Sequence, residues 1–484
     1  MPVMFSAFVT ESTDECSTNG TFHTDKKLIA KCMENSLISQ FSLHGNQRYL
    51  AEWTTSAFML GNMIGASTLT RLSDRYGRRP VLVFSLLALG ITGLLCALAN
   101  SITMFAVCRL LQGICSPGSL LVAWVLSYES VPIGLRGFVT LIYGLMWVIG
   151  YCTVAPLAYF VVNWRWLIVS CSAPSMLLAV LYFYIVPESL HFLIANNRKE
   201  KAVNWIRNAE KYGNVVNKTN LNTMVELLES GCCDAKGCEN DISKTNKNSR
   251  FLSVKELLNH KIFIIYTLIL IFLWSSDTFV YYGLSLYTTH LAGNKYWNFV
   301  LSGLVELPAY IFTPPALKSI GRKRFVAFMH FLVGFSHMVL IFIPPGRLLA
   351  ENNQNNKWLS ISCWLIGKFG ISSSFISLYV YGSEIFPTTI RNVCLGICVV
   401  IARLGGIIAP YVTILGSVNA LLPIILFGSV AMIAAIFTFI LPETKNRELP
   451  SSLNEAVKVN HSYLEHSKFR SQPEPNNSIS LKQT

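Results

Sequence analysis

The stretch 384-EIFPTTIR-391 repeats an earlier one, 129-ESVPIGLR-136, with glutamate, proline and arginine at the same spacing and an offset of 255 residues. A second pair keeps that offset: Pro187-Glu188-Ser189 is matched by Pro442-Glu443-Thr444. A third match is reduced, "DRYGRR" at 74–79 against "GRKR" at 321–324. Repetition at so long a period means that one folding unit is present twice.

The medium of that unit follows from composition. Of 484 residues, 52% are hydrophobic and only 13% charged, which lies outside the soluble range. Apolar stretches long enough to cross a bilayer fall near 53–70, 81–99, 102–128, 138–162, 166–186, 262–286, 297–317, 325–344, 358–382, 393–415 and 421–441. The expectation is an all-α membrane protein with eleven spans. Most of the 39 Lys and Arg fall in alternate loops and in the tail after residue 441, so these face the cytoplasm by the positive-inside rule. That placement explains the net charge of +13 without nucleic acid, for which there is no basic module interleaved with aromatics.

The chain divides into a segment read as extracellular (1–52), a first helical bundle (53–186), a polar cytoplasmic loop (187–260), a second bundle (261–441) and a cytoplasmic tail (442–484). The repeat leaves the halves unequal, six spans against five. Subtracting 255 from the sixth span leads to residue 7 onward, too polar to cross, and the reading favoured is an upstream helix outside this sequence. Asn19 carries a glycosylation sequon in the segment placed outside, and the flanking Cys16 and Cys32 are readable as a disulfide. Most of the 13 cysteines lie in spans as small apolar filler; "GCCDAKGC" at 231–238 has no nearby histidine and reads as a solvated, palmitoylated loop before it reads as a zinc site.

With these motifs in place the sequence resembles the major facilitator superfamily. Its loop "RLSDRYGRRP" (71–80) is similar to that fold's signature loop, with Arg71 where a glycine is usual. It resembles the organic cation, organic anion and carnitine transporter family more narrowly. "RLLQGI" (109–114), "NWRWL" (163–167), "PESLHFLI" (187–194), "YYGLSL" (281–286), "ELPAY" (306–310), "GKFG" (367–370), "YGSEIFPTTIRN" (381–392), "RLGGIIAP" (403–410) and "LPET" (441–444) carry that likeness over about residues 40–455. It implies a two-bundle transporter working by alternating access.

Charges then divide into two groups. On the side read as cytoplasmic, the resemblance brings Asp74, Arg75, Arg78 and Arg79 near Glu129, Arg136 and Glu188, with Arg322, Glu384, Arg391 and Glu443 as their counterparts. They read as gating ion pairs exchanged when the halves rock, or as charge that only sets topology. Within the spans, Arg109, Asp277, Glu306, Lys368 and Arg403 each need a partner or water, since a charge at mid-bilayer costs roughly 2.5–3.5 kcal/mol even on lenient scales.

The resemblance puts Tyr159, Tyr281, Tyr282 and Phe375 on a central cavity, where ring faces suit ammonium groups or flat organic bodies. It also implies that Arg403 stands where cation transporters have aspartate and anion or carnitine-type members have arginine, so the substrate carries a carboxylate. Tyr310 replaces a lysine of strongly anion-selective members, and Asp277, four residues before Tyr281, adds a negative charge. Together they suit a carnitine-like zwitterion, although Asp277 is equally readable as half of a structural salt bridge. The function expected is transport of small organic ions, carboxylate-bearing zwitterions or anions, by a monomeric unit in the plasma membrane. Organic cation transport and a non-transporting receptor or scaffold on the same fold are the alternatives. No catalytic motif points to an enzyme, no cofactor is expected, and sodium or proton coupling is not readable.

Overall fold

The computed structural model describes residues 3–9, 36–43, 45–132, 135–196, 198–212, 261–291, 293–342, 354–386 and 391–445. Asn19, Cys16, Cys32 and the 231–238 cysteines lie outside them, as does the Arg136 side chain. Among the described residues the secondary structure is helical, with no strand. The first half consists of α1 (Tyr49–Tyr76), α2 (Arg78–Ala97), α3 (Ile102–Glu129), α4 (Arg136–Phe160) and α5 (Trp164–Ile185), followed by the short α6 (Leu190–Ala195) and α7 (Lys199–Tyr212). The second half consists of α8 (Lys261–Tyr287), α9 (Lys295–Leu304), α10 (Glu306–Ile320), α11 (Arg322–Ile341), α12 (Gln354–Ile385), α13 (Arg391–Ile408), α14 (Val412–Val418) and α15 (Leu421–Thr438). Side-chain oxygens of Ser101, Asn163 and Asn294 cap the starts of α3, α5 and α9, where orphan N–H groups have no helical acceptor.

Among the described residues ten spans are long and apolar enough to cross a membrane, with α9 and α10 joining into one and α13 and α14 into another. The eleventh expected span, 53–70, lies inside α1, which is a continuous 28-residue helix but not apolar enough by the same measure. Its polarity has a packing reason. Thr54, Thr55 and Ser56 are buried, and α1 meets α3 backbone to backbone: a Cβ at Gly113 would stand 2.1 Å from the Phe58 carbonyl oxygen. The first 52 residues also begin inside the bundle. Val3, Met4, Phe5 and Val9 are buried in the main core, and Phe8 packs on Tyr296 and Phe299 of the second half. Residues 3–9 are an apolar run that can be buried; the polar sequence that cannot begins at Thr10.

The ends of the helices that carry the basic loops hold two copies of one arrangement. Gly77, at φ 125°, breaks the chain between α1 and α2, and the backbone N–H groups of Arg78 and Arg79 that open α2 donate to the Glu188 carboxylate at 2.9 and 3.2 Å. The Arg78 side chain reaches Glu129 at 3.3 Å and Asp74 at 3.1 Å, while Ser189 donates to the second Glu129 oxygen at 2.5 Å. In the other half Gly321, at φ 103°, separates α10 from α11. The Arg322 N–H donates to Glu443 at 2.9 Å, its guanidinium meets Glu384 at 2.9 Å, and Thr444 donates to Glu384 at 2.6 Å. A carboxylate at a helix N-terminus satisfies orphan donors and opposes the positive end of the dipole. Only glycine fits the break, because the φ is left-handed and a Cβ at Gly77 or Gly321 would lie 2.4 or 2.8 Å from the clamping glutamate.

Gly321→Ala is therefore expected to destabilise the second half by about 1–3 kcal/mol, the cost of a forced backbone conformation. Thermal unfolding of the purified protein in detergent measures it; an unchanged midpoint would mean that the break relaxes without strain.

Candidate substrate site

The halves meet at the centre and at the end opposite the basic loops. Tyr151 stacks on Phe299 with centroids 4.5 Å apart, Ser56 donates to the Ile407 carbonyl at 2.7 Å, and Tyr159 meets Tyr296 edge-on at 5.3 Å. Among the described residues, the hydrogen bonds between the halves lie in this region, and a crevice between them would open toward the basic end.

At the head of that crevice stands a buried ion pair. Lys368 of α12 and Glu306, the first residue of α10, are both fully buried with Nζ and Oε1 3.0 Å apart. The ammonium also donates to Ser285 at 2.6 Å and lies 3.4 Å from the centre of the Tyr281 ring and 5.6 Å from that of Tyr151. Tyr310 donates to the other Glu306 oxygen at 3.1 Å, and Trp147 of the first half donates to the Tyr281 hydroxyl at 3.0 Å. Tyr281 in turn stands edge-on to Tyr282 and 5.9 Å from Phe375. Lys368 and Glu306 thus satisfy each other, inside a cage of ring faces that suits an ammonium.

Arg403 has a different setting. It is half-buried on α13, and no described residue forms a hydrogen bond or ion pair with its guanidinium. Gly406, one turn on, faces Tyr282 and Met59: a Cβ there would lie 3.5 Å from each. Three residues before Gly406, Arg403 shares that face and lies one turn nearer the basic end.

Two expectations change. Asp277 does not join Arg403 at the crevice. It is fully buried within the second half, where it bonds His330 of α11 at 2.8 Å and accepts from Ser374 of α12 at 3.0 Å. Tyr159 does not line the centre; it lies at the last turn of α4, 60% exposed, at the closed end. Tyr151, two turns earlier, takes the central place.

The family profile described as "Sugar (and other) transporter" matches residues 5–453. The Drosophila melanogaster organic cation transporter protein is 31% identical over 92% of this chain and 78% of its own length. This chain belongs to the organic cation and carnitine transporter family of the major facilitator superfamily. Organic cation/carnitine transporter 2 of Homo sapiens is 30% identical over 88% of the chain and 72% of its own length. The inward-open xylose transporter XylE of E. coli shares the fold, with a TM-score of 0.65 at 17% identity over 95% of this chain and 97% of its own. The chain is accordingly a transporter and not an enzyme.

In this transporter the charges at the basic end pair within each half: Arg78 with Asp74 and Glu129, and Arg322 with Glu384. As described they tie helices of one half together and do not bridge the two. Arg75 lies over its neighbour Tyr76, the Arg79 guanidinium donates to the Phe183 carbonyl, and Arg391 donates to the Phe386 carbonyl at 3.2 Å. Arg109 is buried beside Gln112 and Ser6 and over the rings of Phe5 and Phe58. The residues missed from the sequence are Tyr151, Trp147, Ser285, His330 and Ser374. Of these His330 carried a signal, as a titratable side chain inside a span.

Replacing one member of the central pair, by Glu306→Gln or Lys368→Met, leaves the other charge buried alone and is expected to cost about 3–5 kcal/mol. The double variant Glu306→Leu/Lys368→Met should recover most of that loss. Unfolding of the three variants in detergent tests it; losses that simply add would show that the two charges are not coupled.

Proposed function

We propose that this transporter carries small organic ions bearing a carboxylate, zwitterions of the carnitine type or simple anions, with Arg403 holding the carboxylate. The observation that supports this reading is the half-buried guanidinium itself, unmatched by any described acid and on the face of α13 whose Gly406, one turn on, lies beside Tyr282. A guanidinium offers two parallel donors to a carboxylate, and a partly desolvated site strengthens them. With Asp277 engaged by His330, the cationic end of a zwitterion is met by the faces of Tyr282 and Phe375. The relative named for both organic cations and carnitine fits a substrate with both charges. Transport of simple organic cations is the second reading, supported by the Drosophila relative's name and by the ring faces of Tyr282 and Phe375.

Alternating access then proceeds with each half moving as a unit held by its own clamp, Arg78–Glu129–Glu188 or Arg322–Glu384–Glu443. The clamp charges act as gating residues by keeping the helix ends in register while the halves rock. The transporter is read as a monomer in the plasma membrane, with the basic loops and the C-terminal tail cytoplasmic.

Loss of Arg403 is expected to cost about 2–5 kcal/mol in carboxylate recognition, the range for truncating one member of a buried charged pair. Uptake of a labelled zwitterion, a monocarboxylate and a quaternary ammonium compound is compared for wild type, Arg403→Lys and Arg403→Asp at equal surface expression. Lysine should rescue in part, and aspartate should abolish carboxylate uptake and admit the ammonium compound. Equal zwitterion and carboxylate uptake by all three would make Arg403 a structural charge. Sidedness is tested separately: Asn19→Gln should remove a glycosidase-sensitive mass shift, and a shift lost only with Asn217→Gln would invert the orientation.

A further inference from the structure

Outside the crevice, one pocket combines fixed cations with an apolar wall. It measures about 430 Å³ and lies at the basic end of the first half, where α2 starts, α5 ends and α6 and α7 fold beneath them. Arg79, Arg198 and Lys201 line it, and none of the three has an acidic side-chain partner among the described residues. Arg79 is held in place: its guanidinium donates to the Phe183 carbonyl and lies 5.6 Å from the centre of the Phe183 ring. Arg198 rests over Phe192 at 5.4 Å. The one carboxylate at the pocket, Glu188, is engaged by the N–H groups of Arg78, Arg79 and Ser189.

The opposite wall is apolar and faces outward. Phe84 is 60% and Phe183 55% exposed, and the last turn of α5 continues with Tyr184 and Ile185, at 78% and 72%. Large side chains so exposed on membrane-spanning helices lie against acyl chains. The cations begin where this apolar surface ends, at the level of the headgroups. The sequence of surfaces, apolar and then trivalently basic, is that of an anionic phospholipid in reverse.

We propose that this pocket binds an anionic phospholipid, with the headgroup phosphate on Arg79, Arg198 and Lys201 and an acyl chain along Phe84 and Phe183. Guanidinium groups take phosphate oxygens in pairs, and the ammonium adds a point charge. A soluble phosphate shares the headgroup chemistry but makes no use of the apolar wall. The site lies away from Arg403 and from the central pair, so it stands independently of the substrate assigned to the crevice.

The test uses the full chain in detergent, with lipid binding followed by native mass spectrometry against phosphatidylinositol 4-phosphate and phosphatidylcholine. Wild type should prefer the anionic lipid. Arg198→Gln/Lys201→Gln should lose about 30-fold in affinity for it, from roughly fivefold per basic side chain at an anionic interface, with phosphatidylcholine unchanged. Arg198→Lys/Lys201→Arg should retain the preference, which separates loss of charge from misfolding. Phe84→Gln should weaken the lipid and leave inositol trisphosphate, the soluble probe, unaffected. An undiminished preference in the double glutamine variant would overturn the site. So would inositol trisphosphate binding as tightly as the lipid, which would make it a site for soluble phosphates.

Discussion

An ion pair sealed from solvent in the middle of a helical bundle constrains everything around it. Lys368 and Glu306 each forgo hydration worth several kcal/mol, and they are tolerable only together and only with their remaining valences met. Ser285 supplies an acceptor for the ammonium, Tyr310 a donor for the carboxylate, and two tyrosine rings the rest of the shell. One of those rings, Tyr151, comes from the other half, and the interruption at Val305 between α9 and α10 puts Glu306 at a helix start. The pair thereby lies where the halves meet, with a ring of the first half over its ammonium.

The two halves repeat at their basic ends and diverge at the centre. Each has a left-handed glycine, two backbone donors on a glutamate, an arginine on a second glutamate, and a hydroxyl on that glutamate's other oxygen. Rigid halves are what a rocking mechanism needs, since a half that deforms cannot transmit opening at one end into closure at the other. The centre, by contrast, has no such symmetry. Lys368, Glu306, Asp277 and Arg403 all belong to the second half, while the first contributes Tyr151, Trp147 and the enclosed Arg109. A symmetric frame around an asymmetric site lets selectivity change without disturbing the motion.

Charge in the spans therefore has four fates. Lys368 and Glu306 neutralise each other, Asp277 is committed to His330 and Ser374, Arg109 is enclosed by Gln112, Ser6 and the rings of Phe5 and Phe58, and Arg403 stays half-exposed. Of these five side chains Arg403 is the one not enclosed, which is why the substrate reading rests on it.

Much of this was legible from the chain alone. Spans, their two-fold repetition and the sidedness of basic charge follow from hydropathy and motif spacing, because partition between lipid and water is a property of each segment taken singly; the grouping of the clamp residues is what the resemblance implied. The same reasoning recognised that Arg403 stands out. Partner choice was not legible. Asp277 and Tyr281 are four residues apart on one helix, yet one meets His330 and the other Lys368, because α8 is enclosed by several helices and a shared face does not name the neighbour. Tyr159, placed on the cavity by resemblance, lies at the last turn of its helix, because depth along a helix axis depends on how that helix is packed against the other half. Helix packing, set by contacts hundreds of residues apart in sequence, decided which charges are spent within the fold and left Arg403 half-exposed.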